Sequence, residues 1–179
     1  MAFWGDVGSP VRFGNVFEGE APPLDIPVSV AERRGCDLNP IDPGTEEGRL
    51  TLLSFVWPDQ AERFRLLSNA IEVARSVPAS VDRSDAIAWL ESQLAQTRPG
   101  VATVVFHSIV RLYFSEEART RLDEILAQAK ERATREAPLA WLSMEPGERE
   151  TDVELIIWPG GERKRIAEAG FHGRDVKIL

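Results

Sequence analysis

The run Val101–Phe106, "VATVVF", constrains the fold of this chain more than any other stretch. It is apolar and rich in β-branched residues, and it lies between Pro99-Gly100 and the polar pair His107-Ser108. Such side chains favour strands, and an unbroken apolar run is typical of a strand that is covered on both faces of a parallel sheet. We therefore predict a central parallel strand that ends by placing an imidazole beside a hydroxyl.

Helical patterns lie on both sides of this strand. Ser84-Asp85 can cap a helix that continues to about Gln96, and Ser115-Glu116-Glu117 can begin another that continues to Ala133. Further strands are predicted at 139–144, 153–158, 163–169 and 176–179, with a hairpin turn at Pro159–Glu162. This order predicts an α/β, three-layer, Rossmann-like or methyltransferase-like sheet that is mostly parallel and has an antiparallel hairpin at its C-terminal edge. Element order alone leaves other doubly wound folds open.

The first part of the chain has a different character. Residues 1–44 are rich in Gly and Pro, and Val11–Phe13 and Val16–Glu18 resemble a hairpin that turns at Gly14-Asn15. We expect this segment to be extended or hairpin-like and residues 45–179 to form the α/β domain, with one domain overall. Within the domain, we predict a helix from Thr45 towards Pro58, a second helix over the apolar pattern of 64–74, and a brief strand that ends at Asp82.

Charge and composition exclude several functions. The formal net charge is −8 and no dense Lys/Arg run occurs, so we expect no nucleic-acid partner. No apolar run has the roughly 20 residues of a membrane span, and no signal-peptide pattern is present, so we expect a cytoplasmic protein without a membrane partner. One cysteine, Cys36, and two histidines, His107 and His172, provide no recognised metal-ligand spacing.

Five segments carry a family resemblance. They are "RRGCDLNPID" at 33–42, "LLSFVWPDQAERFRLL" at 52–67, "RPGVATVVFHSIV" at 98–110, "PLAWLSMEP" at 138–146 and "FHGRDVKIL" at 171–179. In this order they resemble the later part of the domain of unknown function 2332 family of bacterial proteins. Longer members carry a glycine loop like the cofactor turn of S-adenosylmethionine-dependent methyltransferases. "GDVGSPVRFG" at 5–14 has glycines but no preceding apolar strand, so we expect the glycine-loop unit to be missing here.

The resemblance implies S-adenosylmethionine as the cofactor of the full-length family and directs attention to strand ends, where doubly wound sheets bind ligands. Asp37 and Asn39 are candidates for the cofactor ribose, and Asp82 is a candidate near the adenine. His107 and Ser108 are the candidate catalytic residues, since imidazole suits proton transfer near neutral pH. The alternatives are structural: an Asx turn at Asp37, helix capping near Asp82, and a hydrogen-bonded core histidine. A serine hydrolase is disfavoured because no G-x-S-x-G elbow surrounds Ser108.

Two functions follow as hypotheses. The first is a truncated S-adenosylmethionine-dependent methyltransferase-like domain with a small-molecule ligand. The second is a non-enzymatic interaction or oligomerisation module of a degenerate or split family member. In that case an apolar sheet edge would be covered by a second copy or by a separate N-terminal half.

Overall fold

The structure, a computed structural model, describes residues 4–77 and 79–179. Its elements in chain order are β1 (Arg34–Asp37), α1 (Glu46–Ser54), α2 (Ala61–Ser76), β2 (Ser80–Arg83), α3 (Ala86–Gln93), β3 (Thr103–Ser108), a 3-10 turn (Arg111–Tyr113), α4 (Glu116–Lys130), β4 (Leu139–Pro146), β5 (Thr151–Trp158), β6 (Arg163–Ala169) and β7 (Lys177–Ile178). The mixed α/β class is confirmed. No helix in the described part of the chain has the length and apolar character that crossing a bilayer requires.

The chain forms two compact units that alternate along the sequence. One contains the described part of Met1–Gly14 together with Leu24–Ala86, and the other contains Asn15–Pro23 and Ile87–Leu179. In the first unit, β1 and β2 form a two-stranded parallel sheet in which Cys36 is the partner of Asp82. Thr45 caps α1 as predicted, because its hydroxyl accepts the Gly48 N–H at 3.0 Å.

The second unit contains a five-stranded sheet with the order β3-β4-β5-β6-β7. Apolar residues of α3 and α4 pack on one face of it, and Ser115 caps α4 by accepting the Ala118 N–H at 3.2 Å. The buried cluster consists of Leu90, Leu94, Leu122, Ile125, Leu126, Ala129, Leu139, Trp141 and Ile156. These are the periodic apolar positions of the two helices joined to alternate residues of β4 and β5, as amphipathic elements require.

The prediction of a mostly parallel, three-layer sheet is wrong for this unit. Only β3 and β4 pair in parallel, whereas the β4–β5, β5–β6 and β6–β7 pairs are antiparallel. The reason is the length of the connections. A parallel crossover needs a dozen or more residues, whereas only residues 147–150 separate β4 from β5. At the β5–β6 turn, which was predicted correctly as a hairpin, Gly161 has φ +75° and its N–H donates to the Ile157 carbonyl at 2.8 Å.

The prediction of a central strand covered on both faces is also wrong. β3 is an edge strand, and its side chains alternate between half-buried and exposed. Val104 and Phe106 are 59% and 62% exposed, while Val105 packs against the helix-covered core. An unbroken apolar run is therefore also compatible with a strand that is covered on one face only.

The predicted N-terminal hairpin is absent from the described residues. A two-residue hairpin turn of either common type needs positive φ at its first central residue, but Gly14 does not have it and Asn15, the second, does, at 57°. Phe17 instead forms an isolated parallel bridge with Val176, where the Glu18 N–H donates to the Val176 carbonyl at 2.8 Å. The segment is thus held by the chain's last residues rather than by its own neighbour.

Candidate functional site

The carboxyl ends of β1 and β2 carry the predicted cofactor residues. Asp37 ends β1, and its Oδ1 accepts the Asn39 N–H at 2.7 Å, which is an Asx turn. The turn uses one carboxylate oxygen, and a carboxylate has further lone pairs for a ligand hydroxyl. The structural alternative for Asp37 is therefore realised, and a ligand role for Asp37 and Asn39 stays a prediction.

Asp82 is the penultimate residue of β2, one position before the strand end. Its Oδ2 accepts a hydrogen bond from Arg34 Nη2 at 2.7 Å, in an ion pair whose two side chains are 39% and 38% exposed. That pair joins the two strands across the parallel ladder. The geometry of the ion pair accounts for Asp82 without a ligand. A position of Asp82 near the adenine of a cofactor stays a prediction.

The environment of Cys36 reports the electrostatics of this strand pair. Burial raises the pKa of the Cys36 thiol, and the negative charges of Asp85, Asp37 and Asp82 raise it further. The thiol therefore stays protonated at neutral pH and is a poor nucleophile. The acidic surroundings of this thiol include one carboxylate, Asp82, that is paired with Arg34.

A polar cluster lies at the carboxyl ends of β3 and β4 in the second unit. His107 Nδ1 is 2.8 Å from Glu145 Oε1, and the Trp141 indole N–H donates to His107 Nε2 at 2.9 Å. An indole N–H can only donate, so Nε2 must accept and the imidazole proton must lie on Nδ1, where it donates to Glu145. The cluster thus holds His107 as one neutral tautomer.

Burial, like this hydrogen-bond pattern, favours the neutral form of the His107 imidazole. Burial lowers the pKa of His107 below its usual 6.5, the Glu145 carboxylate opposes that shift, and the Arg111 charge adds to it. Both ring nitrogens are engaged, and the His107 side chain is only 13% exposed. A proton exchange with a ligand would first have to break one of these two hydrogen bonds, and a catalytic role for His107 stays a prediction.

The structure that His107 and Glu145 hold is the loop after β3. Glu145 Oε1 also accepts the backbone N–H groups of Val110 at 3.1 Å and Arg111 at 3.3 Å, and the Ile109 N–H donates to the Met144 carbonyl at 2.9 Å. Ile109 has φ +50°, a left-handed conformation that is an outlier for a β-branched residue. Strained residues of this kind persist only where their surroundings over-determine them, and they concentrate at ligand sites.

Two arginine side chains lie near the buried indole of Trp141. The guanidinium carbons of Arg111 and Arg163 each lie 5.4 Å from the centroid of the Trp141 ring. Arg111 also pairs with Asp123 on α4 at 3.2 Å. The contacts of Arg111 join the loop to α4 and to the indole, and the contact of Arg163 joins β6 to the same indole, since a cation near an aromatic ring is attracted to its face.

The structure does not bring His107 and Ser108 together. Successive side chains of a strand point to opposite faces, and here His107 is half-buried on the helix-covered face while Ser108 is exposed. Sequence reasoning did not find Glu145 or Trp141 as partners. Glu145 had a usable signal, because it is the first polar residue after the apolar strand at 139–144 and follows the strand-end rule. No sequence pattern indicated the strained backbone at Ile109.

Comparison with known families decides the classification. The sequence model of a bacterial family, described as "Uncharacterized protein conserved in bacteria (DUF2332)", matches residues 1–177. The chain belongs to the DUF2332 family. The predicted family is thereby confirmed over nearly the whole chain. No curated protein and no solved structure matches this DUF2332 chain significantly. Within its described residues, no group of three or more His, Cys, Asp or Glu side chains is arranged to hold a metal ion.

Proposed function

We propose that this DUF2332 chain is a methyltransferase-like domain, with S-adenosylmethionine as its small-molecule ligand. The observation that carries the proposal is the strained loop after β3, where Ile109 is held in a left-handed conformation at the carboxyl end of a parallel strand. Ligands of open α/β sheets bind at that end. His107 and Glu145 act as positioning residues that maintain the loop, and Ser108 is the exposed candidate residue beside it.

The first unit, considered by itself, has residues that suit this ligand chemically. S-adenosylmethionine carries a sulfonium and an ammonium group but no phosphate, so it matches the acidic surroundings of Cys36. Asp37 and Asn39 would hold the ribose hydroxyls, since Asp37 keeps acceptor capacity after forming its Asx turn. When bound, the ligand would supply an electrophilic methyl group.

Thermal unfolding with added ligand tests this proposal. A ligand at ten times its Kd stabilises the folded state by about 1.4 kcal/mol, which raises the Tm of a chain of this size by roughly 3–6 °C. We expect S-adenosylmethionine to raise the Tm and ATP to leave it unchanged, because ATP shares the adenosine but is anionic. No shift with S-adenosylmethionine at millimolar concentration, or an equal shift with ATP, would contradict the proposal.

A matched pair of variants locates the ligand. Asp37→Asn keeps an oxygen for the Asx turn but removes the charge, so we expect a smaller ligand-induced shift with little change in the Tm of the free protein. Asp25→Asn removes one charge from another exposed position and serves as the control. Equal ligand shifts in the two variants would exclude Asp37 from the site.

A second candidate function is a non-enzymatic interaction module. Its support is β3, an edge strand whose outer face exposes Val104 and Phe106. Exposed apolar edges pair readily with other strands, and a second copy or a separate N-terminal half could supply one. Sedimentation distinguishes this function from the first, since a module of this kind assembles without a ligand and a stable monomer would count against it.

A further inference from the structure

We propose that two copies of this chain pair through their β3 strands, in antiparallel orientation about a two-fold axis at Val105, and so join two five-stranded sheets into one. This inference rests on the second candidate function and names its partner.

The two sheet edges differ in how they are protected. Natural edge strands are blunted by shortness, charge or proline. β7 follows that rule, because it has only two residues and one of them is Lys177. β3 has six residues with no charge and no proline, and among the described residues it pairs only with β4. The contrast between this unprotected edge and the protected one at the opposite side of the sheet indicates that β3 can pair with a further strand.

The backbone of β3 has hydrogen-bonding groups for a second strand. The N–H groups of Thr103 and Ile109 point towards β4, where they donate to the carbonyls of Pro138 and Met144. Backbone groups alternate sides along a strand, so those of Val104, Phe106 and Ser108 point away from β4. These outward groups are the ones that an added strand would bond.

The residue order of β3 favours a second copy as that strand. In an antiparallel pair centred on Val105, Val104 of each chain lies opposite Phe106 of the other, and their backbone groups form hydrogen-bonded pairs. Both are among the most exposed apolar side chains of the sheet, and aromatic residues paired with β-branched ones across strands are stabilising. The remaining pair joins Thr103 to His107, so no like charges meet. The strand is therefore self-complementary in this register.

Charge variants on the exposed face test both the surface and the register, with sedimentation equilibrium as the measurement. We expect the wild-type chain to be a dimer and Val104→Glu/Phe106→Glu to be a monomer, because like charges then face each other across the pair. Val104→Glu/Phe106→Lys should be a dimer again, because each Glu then faces a Lys of the other copy. Circular dichroism verifies that both double variants fold.

Cross-linking gives an independent measurement of the register. In a Cys36→Ser background, Val105→Cys places two thiols at a non-hydrogen-bonded antiparallel pair, whose Cα separation of about 4.5 Å suits a disulfide. Val104→Cys is the matched control, since its thiol would face Phe106 rather than its own copy. We expect rapid cross-linking of the first variant and little of the second.

The outcomes separate this inference from the function on which it rests. A wild-type dimer that survives Val104→Glu/Phe106→Glu overturns pairing through β3 but leaves the interaction function in place. Failure of the Glu/Lys variant to dimerise, or equal cross-linking of both cysteine variants, overturns the antiparallel register. A wild-type monomer overturns the pairing of two copies and counts against the interaction function itself.

Discussion

Removal of the His107 side chain is the sharpest test of the polar cluster. His107→Ala deletes the hydrogen bond to Glu145 and leaves the Trp141 N–H without its partner. A hydrogen bond to a charged group contributes about 1.5–3 kcal/mol, and a buried donor left unsatisfied costs about 1–3 kcal/mol. Glu145 keeps its hydrogen bonds from the N–H groups of Val110 and Arg111, so the total loss is smaller than these two contributions added together. We therefore expect a loss of about 2–4 kcal/mol in the free energy of unfolding.

Two conservative variants divide this loss between the two bonds. An Asn side chain places its amide near the position of Nδ1, so His107→Asn should keep the contact with Glu145 and lose the one with Trp141. A Gln side chain reaches the position of Nε2, so His107→Gln should accept from Trp141 and lose Glu145. We expect each variant to be destabilised less than His107→Ala, because each keeps one of the two partners satisfied.

Urea unfolding measures these differences, with the midpoint reporting stability and an unchanged slope showing that both states keep their exposed area. The expected loss for His107→Ala corresponds to a Tm decrease of roughly 4–16 °C in a chain of this size. A loss within about 0.5 kcal/mol, as for an ordinary surface substitution, would refute the cluster as a structural clamp. Equal stability of the Asn, Gln and Ala variants would refute the two-bond geometry.

Further predictions concern pH, packing and capping. Because burial lowers the folded-state pKa of His107, its contribution to stability is complete above pH 6.5 and is lost as the pH falls towards the folded pKa, by at most about 1.4 kcal/mol per pH unit; urea midpoints should show this loss in wild type and not in His107→Ala. Gly48→Ala should lower the unfolding free energy by about 1–3 kcal/mol, because an added Cβ would clash with the Asp42 carbonyl. A thermal melt that matches wild type would exclude that contact. Ser115→Ala should lower the unfolding free energy by about 1 kcal/mol, because the Ala118 N–H loses its capping acceptor. Amide exchange should then show weaker protection in the first turn of α4.

Local patterns predicted the elements well. The caps at Thr45 and Ser115 mark the starts of α1 and α4, and the Pro-Gly-Gly turn joins β5 to β6 as expected. These features depend on residues within a few positions of each other, so their physics is contained in a short window of sequence. The same holds for the Asx turn at Asp37, which was foreseen as the structural alternative.

Sheet topology and exposure were less accessible. The apolar run at 101–106 predicted a strand but placed it at the centre of the sheet, whereas β3 is at the edge. Hydrophobicity indicates how strongly a side chain favours burial, but it does not indicate which neighbouring element covers that side chain. The parallel sheet failed for a related reason, because the direction of β5 is determined by the short connection after β4 rather than by the composition of either strand.

The sequence by itself determined the α/β class, the family, the helices with their caps, and His107 at the end of a strand. Only the tertiary structure decided what His107 does there. Glu145 and Trp141 lie 38 and 34 residues away along the chain, and they meet His107 only because β4 pairs with β3 in one particular register. Side-chain hydrogen bonds need ångström geometry, and that geometry arises when strands pair and helices cover one face, so no local pattern contains it.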